Sequence, residues 1–194
     1  MIESCAEKTY AATTIADIVR RAGISRTTFY KRFSGKRECF NGALDYCVDE
    51  LRTAAADSHT ASDSPSRAVC KAVAAVLRVM ATRPALAQLV VGEAVTVEPT
   101  VIERYRQLLI PAAAGLWGAT ADPRGLHADP RLAFGRAQVL IFNQVVAGNA
   151  KELSRLLPEI VYLAVLPFAG HEEALDVSRL AKRGADVPPG PGGG

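Results

Sequence analysis

The sequence lacks the residue patterns on which most enzymes and metalloproteins depend. Its three histidines, His59, His127 and His171, lie far apart in or near polar segments and have no metal-ligand spacing. No Ser-His-Asp or Cys-His arrangement can be read, and no glycine-rich phosphate loop follows a strand pattern. We therefore predict no catalytic residue, no metal site and no cofactor, and we expect that the protein is not an enzyme.

Paired cysteines and apolar runs of membrane length are missing as well. The four cysteines, which contain no CxxC pair, are Cys5, Cys39, Cys47 and Cys70. Such thiols are typical of small buried side chains in a reducing cytosol.

The longest apolar stretches, Leu108–Leu116 and Ile160–Ala169, fall short of the roughly 20 residues that span a membrane. Met1–Tyr10 has no apolar run of a secretory leader. We expect a cytoplasmic globular protein with no membrane partner.

Acidic residues are absent from one stretch of an otherwise balanced chain. Between Arg20 and Arg37 there are seven Lys or Arg and no Asp or Glu, although the net charge of all 194 residues is only +3. A local excess of positive charge in a nearly neutral protein indicates a surface for phosphate groups.

The same stretch has the pattern of a short helix that ends in a tight turn. Apolar residues recur at i, i+3, i+4 and i+7 from Ile15, which predicts one apolar face. Thr13 or Thr14 can cap the start of this helix with a hydroxyl group. Gly23 is predicted to end it, because glycine adopts the left-handed conformation that a helix C-cap needs.

A second short helix is predicted directly after the turn. Ile24 is expected to fill the turn, and Ser25 to cap the next helix. Phe29 and Phe33 are four residues apart and face the core together. The opposite face carries the polar side chains of Arg26, Thr27, Thr28, Tyr30 and Lys31. A rigid helix with such a surface has the size and chemistry to enter the major groove of DNA.

This pattern resembles the DNA-binding signature of the TetR family of bacterial repressors. The matching string is TTIADIVRRAGISRTTFYKRF, followed by Lys36 at the start of the next helix. The resemblance implies a helix-turn-helix domain that contacts double-stranded operator DNA. We expect base edges near Arg26, Thr27 and Thr28, and phosphates near Tyr30, Lys31 and Lys36. The complete set of predicted DNA-binding residues is Thr14, Arg26, Thr27, Thr28, Tyr30, Lys31 and Lys36.

The beginning of the chain departs from the family pattern. TetR proteins have a longer first helix with a Leu-Phe pair where this chain has Ser4 and Cys5, and a glycine where it has Thr9. Either the natural start lies further upstream, or the first helix is a remnant. The alternative function is therefore a helical small-molecule-binding or interaction protein with an impaired DNA-binding domain.

The rest of the chain predicts an all-α fold of about nine helices. We expect a helix-turn-helix domain at residues 1–50, a helical effector-binding and dimerisation domain at 51–181, and a disordered tail at 182–194. After the second short helix we predict a helix at 36–57, a loop at 58–66, and helices from Pro65 to Thr82 and from Ala85 to Val95. A helix that begins at Glu98 is expected to kink at Pro111 and to be followed by a loop at 121–129. The last predicted segments are a helix at 130–148 and a helical stretch at 151–170, which is interrupted near Pro158 and ends near Pro167.

Several polar and aromatic residues lie on apolar helices of the second domain. They are expected to anchor a small apolar effector, because an apolar cavity with few polar groups is typical of a ligand site. The candidates are Glu93, Tyr105, Trp117, Phe134, Gln138 and Phe142. The open alternative is that the aromatic rings belong to the core and that the polar groups satisfy the backbone or a dimer interface.

Two C-terminal segments, Pro130–Gly148 and Lys151–Phe168, are apolar on more than one face. A monomer would expose them as a large patch, so we predict a symmetric homodimer. The family resemblance then implies a transcriptional regulator, namely a repressor that binds an inverted-repeat operator and is released by a small apolar ligand.

Overall fold

The structure is a computed structural model that describes residues 1–97 and 130–185, and within these ranges the chain is helical and has no strand. The α-helices, in chain order, are α1 Ile2–Ala12, α2 Ile15–Ala22, α3 Arg26–Arg32, α4 Lys36–Ala56, α5 Pro65–Thr82, α6 Pro84–Ala87, α7 Ala94–Val97, α8 Pro130–Val146 and α9 Leu157–Ala185. A π-helical segment, Gln88–Glu93, joins α6 to α7, and a 3-10 helix, Ala150–Leu156, leads into α9. The all-α fold class and the N-terminal helix-turn-helix are confirmed.

One hydrophobic core connects the N-terminal helices to the C-terminal ones. Phe40 and Leu44 of α4 are buried in it together with Leu77 of α5 and Leu153 of the 3-10 helix. Helix α1 packs against α6 and against the π-helical segment. The predicted domain boundary at residue 50 falls inside α4, which continues without a break to Ala56. Helices α1 and α4 therefore share a core with the C-terminal helices, and the division into two domains stays a prediction.

A second cluster of buried side chains holds α9 against α5. Its buried members are Val69, Val161, Val165, Ala174 and Val177. Val161 lies in Lys151–Phe168, one of the two segments predicted to form a dimer, and its side chain is fully buried within the protomer. A substitution there would damage the core, so it is no test of dimerisation.

The last helix differs from its prediction. Helix α9 continues through Pro167, has its break at Gly170 with φ 81°, and runs on to Ala185. The expected end near Pro167 is wrong, because a proline inside a helix removes one donor and kinks the chain without always ending it. Residues 182–185 are helical, so the predicted disordered tail begins too early. Residues 186–194, the kink at Pro111 and the loop at 121–129 lie outside the described ranges.

The helical stretch Ala150–Arg183 is long and apolar enough to cross a membrane by length and composition. Its most apolar window has a mean hydropathy of 1.4, and 22% of that window is buried. Helix α5 and the helical segment Pro84–Val97 meet the same test only as a pair bent by 108°. The exposed large apolar side chains of the C-terminal helices lie mainly on α8, at Leu132, Val139, Phe142 and Val146.

The cysteines match their predicted role as small apolar side chains. Cys5, Cys39 and Cys47 are buried, Cys70 is half-buried, and all four are free. Burial raises the pKa of each thiol, and it raises that of Cys47 to about 11. Such thiols remain protonated near neutral pH and contribute to packing.

Candidate DNA-binding surface

Helix α2 is capped at both ends by its own sequence neighbours. The Thr14 hydroxyl accepts a hydrogen bond from the Asp17 amide at 3.2 Å, and the Asp17 carboxylate accepts one from the Thr14 amide at 3.0 Å. At the other end Gly23 adopts φ 66°. The amide of Ile24 donates to the carbonyl of Val19 at 3.1 Å, and that of Gly23 to Arg20 at 3.3 Å. This is a Schellman turn, as the glycine predicted.

Helix α3 begins at its predicted cap and turns its aromatic face inward. The Ser25 hydroxyl accepts a hydrogen bond from the amide of Thr28 at 3.0 Å. Phe29 is 1% exposed and packs with Ile18 and Val19 of α2. The rings of Phe29 and Phe33 lie 5.5 Å apart, and Phe33 is half-buried. These contacts fix the angle between the two helices.

The turn itself is not filled as predicted. Ile24 is 40% exposed, because Phe29 and its neighbours already close the core beneath the turn. The expectation that Ile24 fills the turn is therefore wrong.

The outer face of α3 is polar and cationic. Every side chain on it is exposed, and the residues are Arg26, Thr27, Thr28, Tyr30, Lys31 and Arg32. Tyr30 has 55% of its surface exposed, while its ring packs edge-on against Phe29 at 5.4 Å. The polar side chains predicted to contact DNA are thus exposed on α3, while the aromatic side of this helix is packed against α2.

Ion pairs divide the basic stretch into structural and unpaired cations. Arg20 pairs with Asp17 at 2.6 Å, and Arg21 pairs with Glu7 of α1. Within residues 1–97 and 130–185, no ion pair engages the cations of α3, namely Arg26, Lys31 and Arg32. Exposed cations without an acidic partner are the groups that attract a phosphate backbone.

Arg32 was missing from the predicted DNA-binding residues. It is the last residue of α3 and lies four residues after Thr28, so it occupies the same side of the helix. The helical spacing in the sequence was sufficient to include it.

Lys36 has partners inside the protein. Its ammonium donates to the carbonyl oxygens of Thr13 at 2.9 Å and Tyr10 at 3.0 Å, with a longer contact to Ala11 at 3.5 Å. It also lies 4.3 Å from the centre of the Tyr10 ring. Since an ammonium has three donors, the geometry argues against the phosphate contact predicted for Lys36.

Thr14 combines exposure with a structural role. Its hydroxyl donates to the Asp17 carboxylate at 2.7 Å and caps α2. The structure explains Thr14 fully as a helix cap, and its predicted DNA contact stays a prediction.

The predicted ligand residues do not form one group in the described chain. Glu93 accepts a hydrogen bond from the backbone amide of Tyr10 at 2.8 Å, so its carboxylate faces α1. Phe134 and Gln138 are half-buried on α8, whereas Phe142 is 37% exposed. Tyr105 and Trp117 lie outside the described residues.

The histidines have ordinary partners where the structure describes them. His59 Nδ1 lies 3.0 Å from the Ala55 carbonyl, and His171 Nδ1 lies 3.0 Å from the Tyr162 hydroxyl. No group of three or more metal-binding side chains was found among the described residues. His127 is not among them.

Helix α1 contains a strained backbone conformation and an unsatisfied buried hydroxyl group. Thr9 adopts φ 71° and ψ 160°, a conformation that is essentially restricted to glycine. The Ser4 hydroxyl is buried without a hydrogen-bond partner. The differences from the family pattern at Ser4 and Thr9 therefore have visible structural consequences.

Comparison with known proteins agrees with this geometry. Residues 2–43 match a family model described as bacterial regulatory proteins, tetR family. The match spans α1 to α3 and the first part of α4. No match was found among curated proteins or among solved structures. The N-terminal part of this chain is a TetR-type DNA-binding domain, and this domain supports a TetR-type transcriptional regulator.

Proposed function

We propose that this regulator is a repressor that binds an inverted-repeat operator as a homodimer and is released by a small apolar effector. The observation that carries the DNA-binding part is the outer face of α3, where the exposed cations have no acidic partner in the described chain. Such a regulator acts in the cytoplasm, where bacterial DNA lies. Sequencing the DNA that the pure protein selects from a random pool is the first test, and recovery of no inverted repeat would contradict the proposal.

The side chains of α3 have different tasks in this proposal. Arg26, Thr27 and Thr28 lie on the first turn of α3, which enters the major groove in helix-turn-helix proteins. Tyr30 and Lys31 follow on the next turn and are assigned to phosphates. Substituting Arg26 by Ala should change the selected sequence and cost about 1–3 kcal/mol at the preferred site. Substituting Lys31 by Ala should weaken all sites alike, because a phosphate contact carries no sequence information.

The homodimer rests on an apolar face of α8. Its exposed members are Leu132 at 64%, Val139 at 57%, Phe142 at 37% and Val146 at 64%. Their spacing of three, four and seven residues places them on one side of the helix. An exposed apolar stripe of this kind is typical of a protein interface.

Ultracentrifugation of Val139→Asp and Phe142→Asp variants tests this interface. We expect a dimer for the natural chain and monomers for both variants, with the helical content unchanged. Arg155→Ala is a matched control on the exposed surface of the 3-10 helix. Flotation of the natural protein with neutral phosphatidylcholine vesicles, together with a monomer in their absence, would favour a membrane as the occupant of this face.

The effector part of the proposal relies on the C-terminal helices. Phe134 and Gln138 remain candidate ligand contacts, together with Tyr105 and Trp117 in the segment between α7 and α8. A coupling of about 1–3 kcal/mol would lower operator affinity by roughly five- to 150-fold. Thermal-shift screening of apolar compounds, followed by operator binding with each hit, tests this part. Hits that stabilise the protein but leave operator affinity unchanged would show a binding site without a switch.

A second candidate function is supported by the first helix. The strained Thr9 and the unpaired hydroxyl of Ser4 favour a helical small-molecule-binding or interaction protein whose DNA-binding domain is impaired. A gel-shift with DNA from the neighbouring intergenic region separates the two. Salt-sensitive, sequence-selective retardation at submicromolar protein favours the regulator, and its absence favours the second candidate.

A further inference from the structure

The last turn of α1, which follows the break at Thr9, has hydrogen-bond partners from two other parts of the fold. The break at Thr9 makes Tyr10 the start of a new helical turn, and the first amides of a helix have no acceptor within it. The Tyr10 amide donates to the Glu93 carboxylate at 2.8 Å. The carbonyl groups of Tyr10 and Thr13 accept hydrogen bonds from the Lys36 ammonium.

The two charged groups come from different parts of the fold. Glu93 ends the π-helical segment and lies 83 residues from Tyr10 in the chain. Lys36 begins α4 and lies 26 residues away. Tyr10 lies between them and packs its ring against Phe40 at 4.8 Å between ring centres. This turn therefore joins the C-terminal helices to the helix-turn-helix through its backbone groups.

The electrostatic environment of a nearby thiol is consistent with this arrangement. Burial is the main reason that the pKa of Cys5 is raised, and the negative charge of Glu93 raises it further. The Thr13 hydrogen bond and the positive charge of Lys36 act in the opposite direction. Both charges thus face the buried end of α1.

We infer that Glu93 and Lys36 are positioning residues that lock residues 9–13 and thereby fix the orientation of α2 and α3 on the C-terminal helices. Neither side chain touches DNA in this role. The strained backbone of Thr9 persists because the partners on both sides of it over-determine its conformation. The consequence for operator spacing rests on the proposed dimeric function, whereas the lock itself does not.

Hydrogen exchange measures the lock directly. In Glu93→Ala the amides of residues 9–13 should exchange roughly tenfold faster or more, because a charge-assisted hydrogen bond is lost. Glu93→Gln keeps an acceptor oxygen and should retain most of the protection. Lys36→Met keeps the apolar stem and should lose protection at the same amides. Unchanged exchange in Glu93→Ala and Lys36→Met would overturn the inference.

Binding to a random 30-base-pair duplex separates the lock from a phosphate contact. The slope of the salt dependence for Lys31→Met should fall by about one unit for each bound protomer, since each protomer loses one phosphate contact. That of Lys36→Met should equal the natural protein's. A lower slope for Lys36→Met with intact protection at residues 9–13 would make Lys36 a DNA-contacting residue and overturn its part in the lock.

Operator geometry supplies the functional readout. Selection from inverted repeats with varied spacers should give one preferred separation for the natural protein and for Glu93→Gln, and a broad distribution for Glu93→Ala. An unchanged preference in Glu93→Ala would contradict the positioning role. If the natural protein shows no preference for inverted repeats, the dimeric operator proposal fails, and the exchange data still decide whether the lock exists.

Discussion

Two residues of the N-terminal domain have nearly the same positive backbone φ, but the conformational energy that it costs differs greatly between them. Gly23 ends α2 at φ 66° and ψ 27°, which is ordinary for glycine at a helix C-cap. Thr9 interrupts α1 at φ 71° and ψ 160°, where a β-branched residue is rarely found. A positive φ is thus supplied once by glycine, which adopts it readily, and once by threonine, which does not.

The difference extends to the hydrogen bonds around each bend. The side chains that cap the starts of α2 and α3 belong to Thr14, Asp17 and Ser25, and each bonds to a residue three positions away. The turn after Thr9 has local hydrogen bonds from Thr13, but it also depends on the distant side chains of Glu93 and Lys36. The helix-turn-helix is therefore encoded locally, whereas the first helix depends on the packed fold.

Among the variants that test this comparison, removal of the Phe29 ring should reduce stability most, because it takes away the common core of α2 and α3. Phe29→Ala is expected to cost about 3–5 kcal/mol of unfolding free energy, as for other fully buried aromatic rings. Urea unfolding followed by circular dichroism measures the change. Ile24→Ala, at a 40% exposed position, is the control and should change stability little. Equal losses in both variants would contradict the assigned core.

Thr9→Gly should remove the difference between the two bends. We expect a gain of about 1–2 kcal/mol in unfolding free energy, because relief of the strain outweighs the greater entropy of glycine in the unfolded chain. Thr9→Ala keeps a Cβ atom and should not gain. Thermal unfolding measures both variants, and a loss of stability in Thr9→Gly would show that the Thr9 side chain has a role that the strain argument omits.

Loss of a local cap should have a smaller effect. Ser25→Ala removes the acceptor for the Thr28 amide and is expected to cost about 1 kcal/mol. Ser25→Asp offers another acceptor and should restore most of this loss. Denaturant titration gives the free energies, and faster amide exchange in the first turn of α3 would locate the effect. A neutral Ser25→Ala would mean that tertiary contacts alone hold α3.

Acid should weaken the ion pair between Lys8 of α1 and Asp17 of α2, and the resulting loss of stability should be smaller than that of the substitutions above. The hydrogen bond from Lys8 and those from Thr14 hold the pKa of Asp17 well below its usual value of 3.8. The resulting stabilisation is present above that usual value and is lost as the pH falls below it. Asp17→Asn should therefore flatten the decline of stability between about pH 5 and pH 2. Identical acid dependence in both proteins would exclude this contribution, which salt screening keeps small at an exposed pair.

Prediction from the sequence succeeded where the partners of a residue lie within one or two turns. The Thr14 cap, the Gly23 turn and the inward face of Phe29 all follow from local spacing. Local spacing did not reveal the partners of Lys36, whose acceptors lie at the end of α1, or the partner of Glu93, which is the backbone amide of Tyr10 in α1. It also ended α9 at Pro167, because the effect of a proline within a helix depends on what packs around it.

By itself, the sequence determined the all-helical fold, the positions of the first helix ends and the polar face of α3. These depend on side-chain spacing and on hydrogen bonds between near neighbours, which exist as soon as a helix forms. Only the tertiary structure decided which cations of the basic stretch stay unpaired and which are used inside the protein. Arg21 and Lys36 look like Lys31 in the sequence, but their charges are taken up by Glu7 and by the carbonyl groups at the end of α1. Such pairs join residues that are distant in the chain, so they come into existence only when the helices pack.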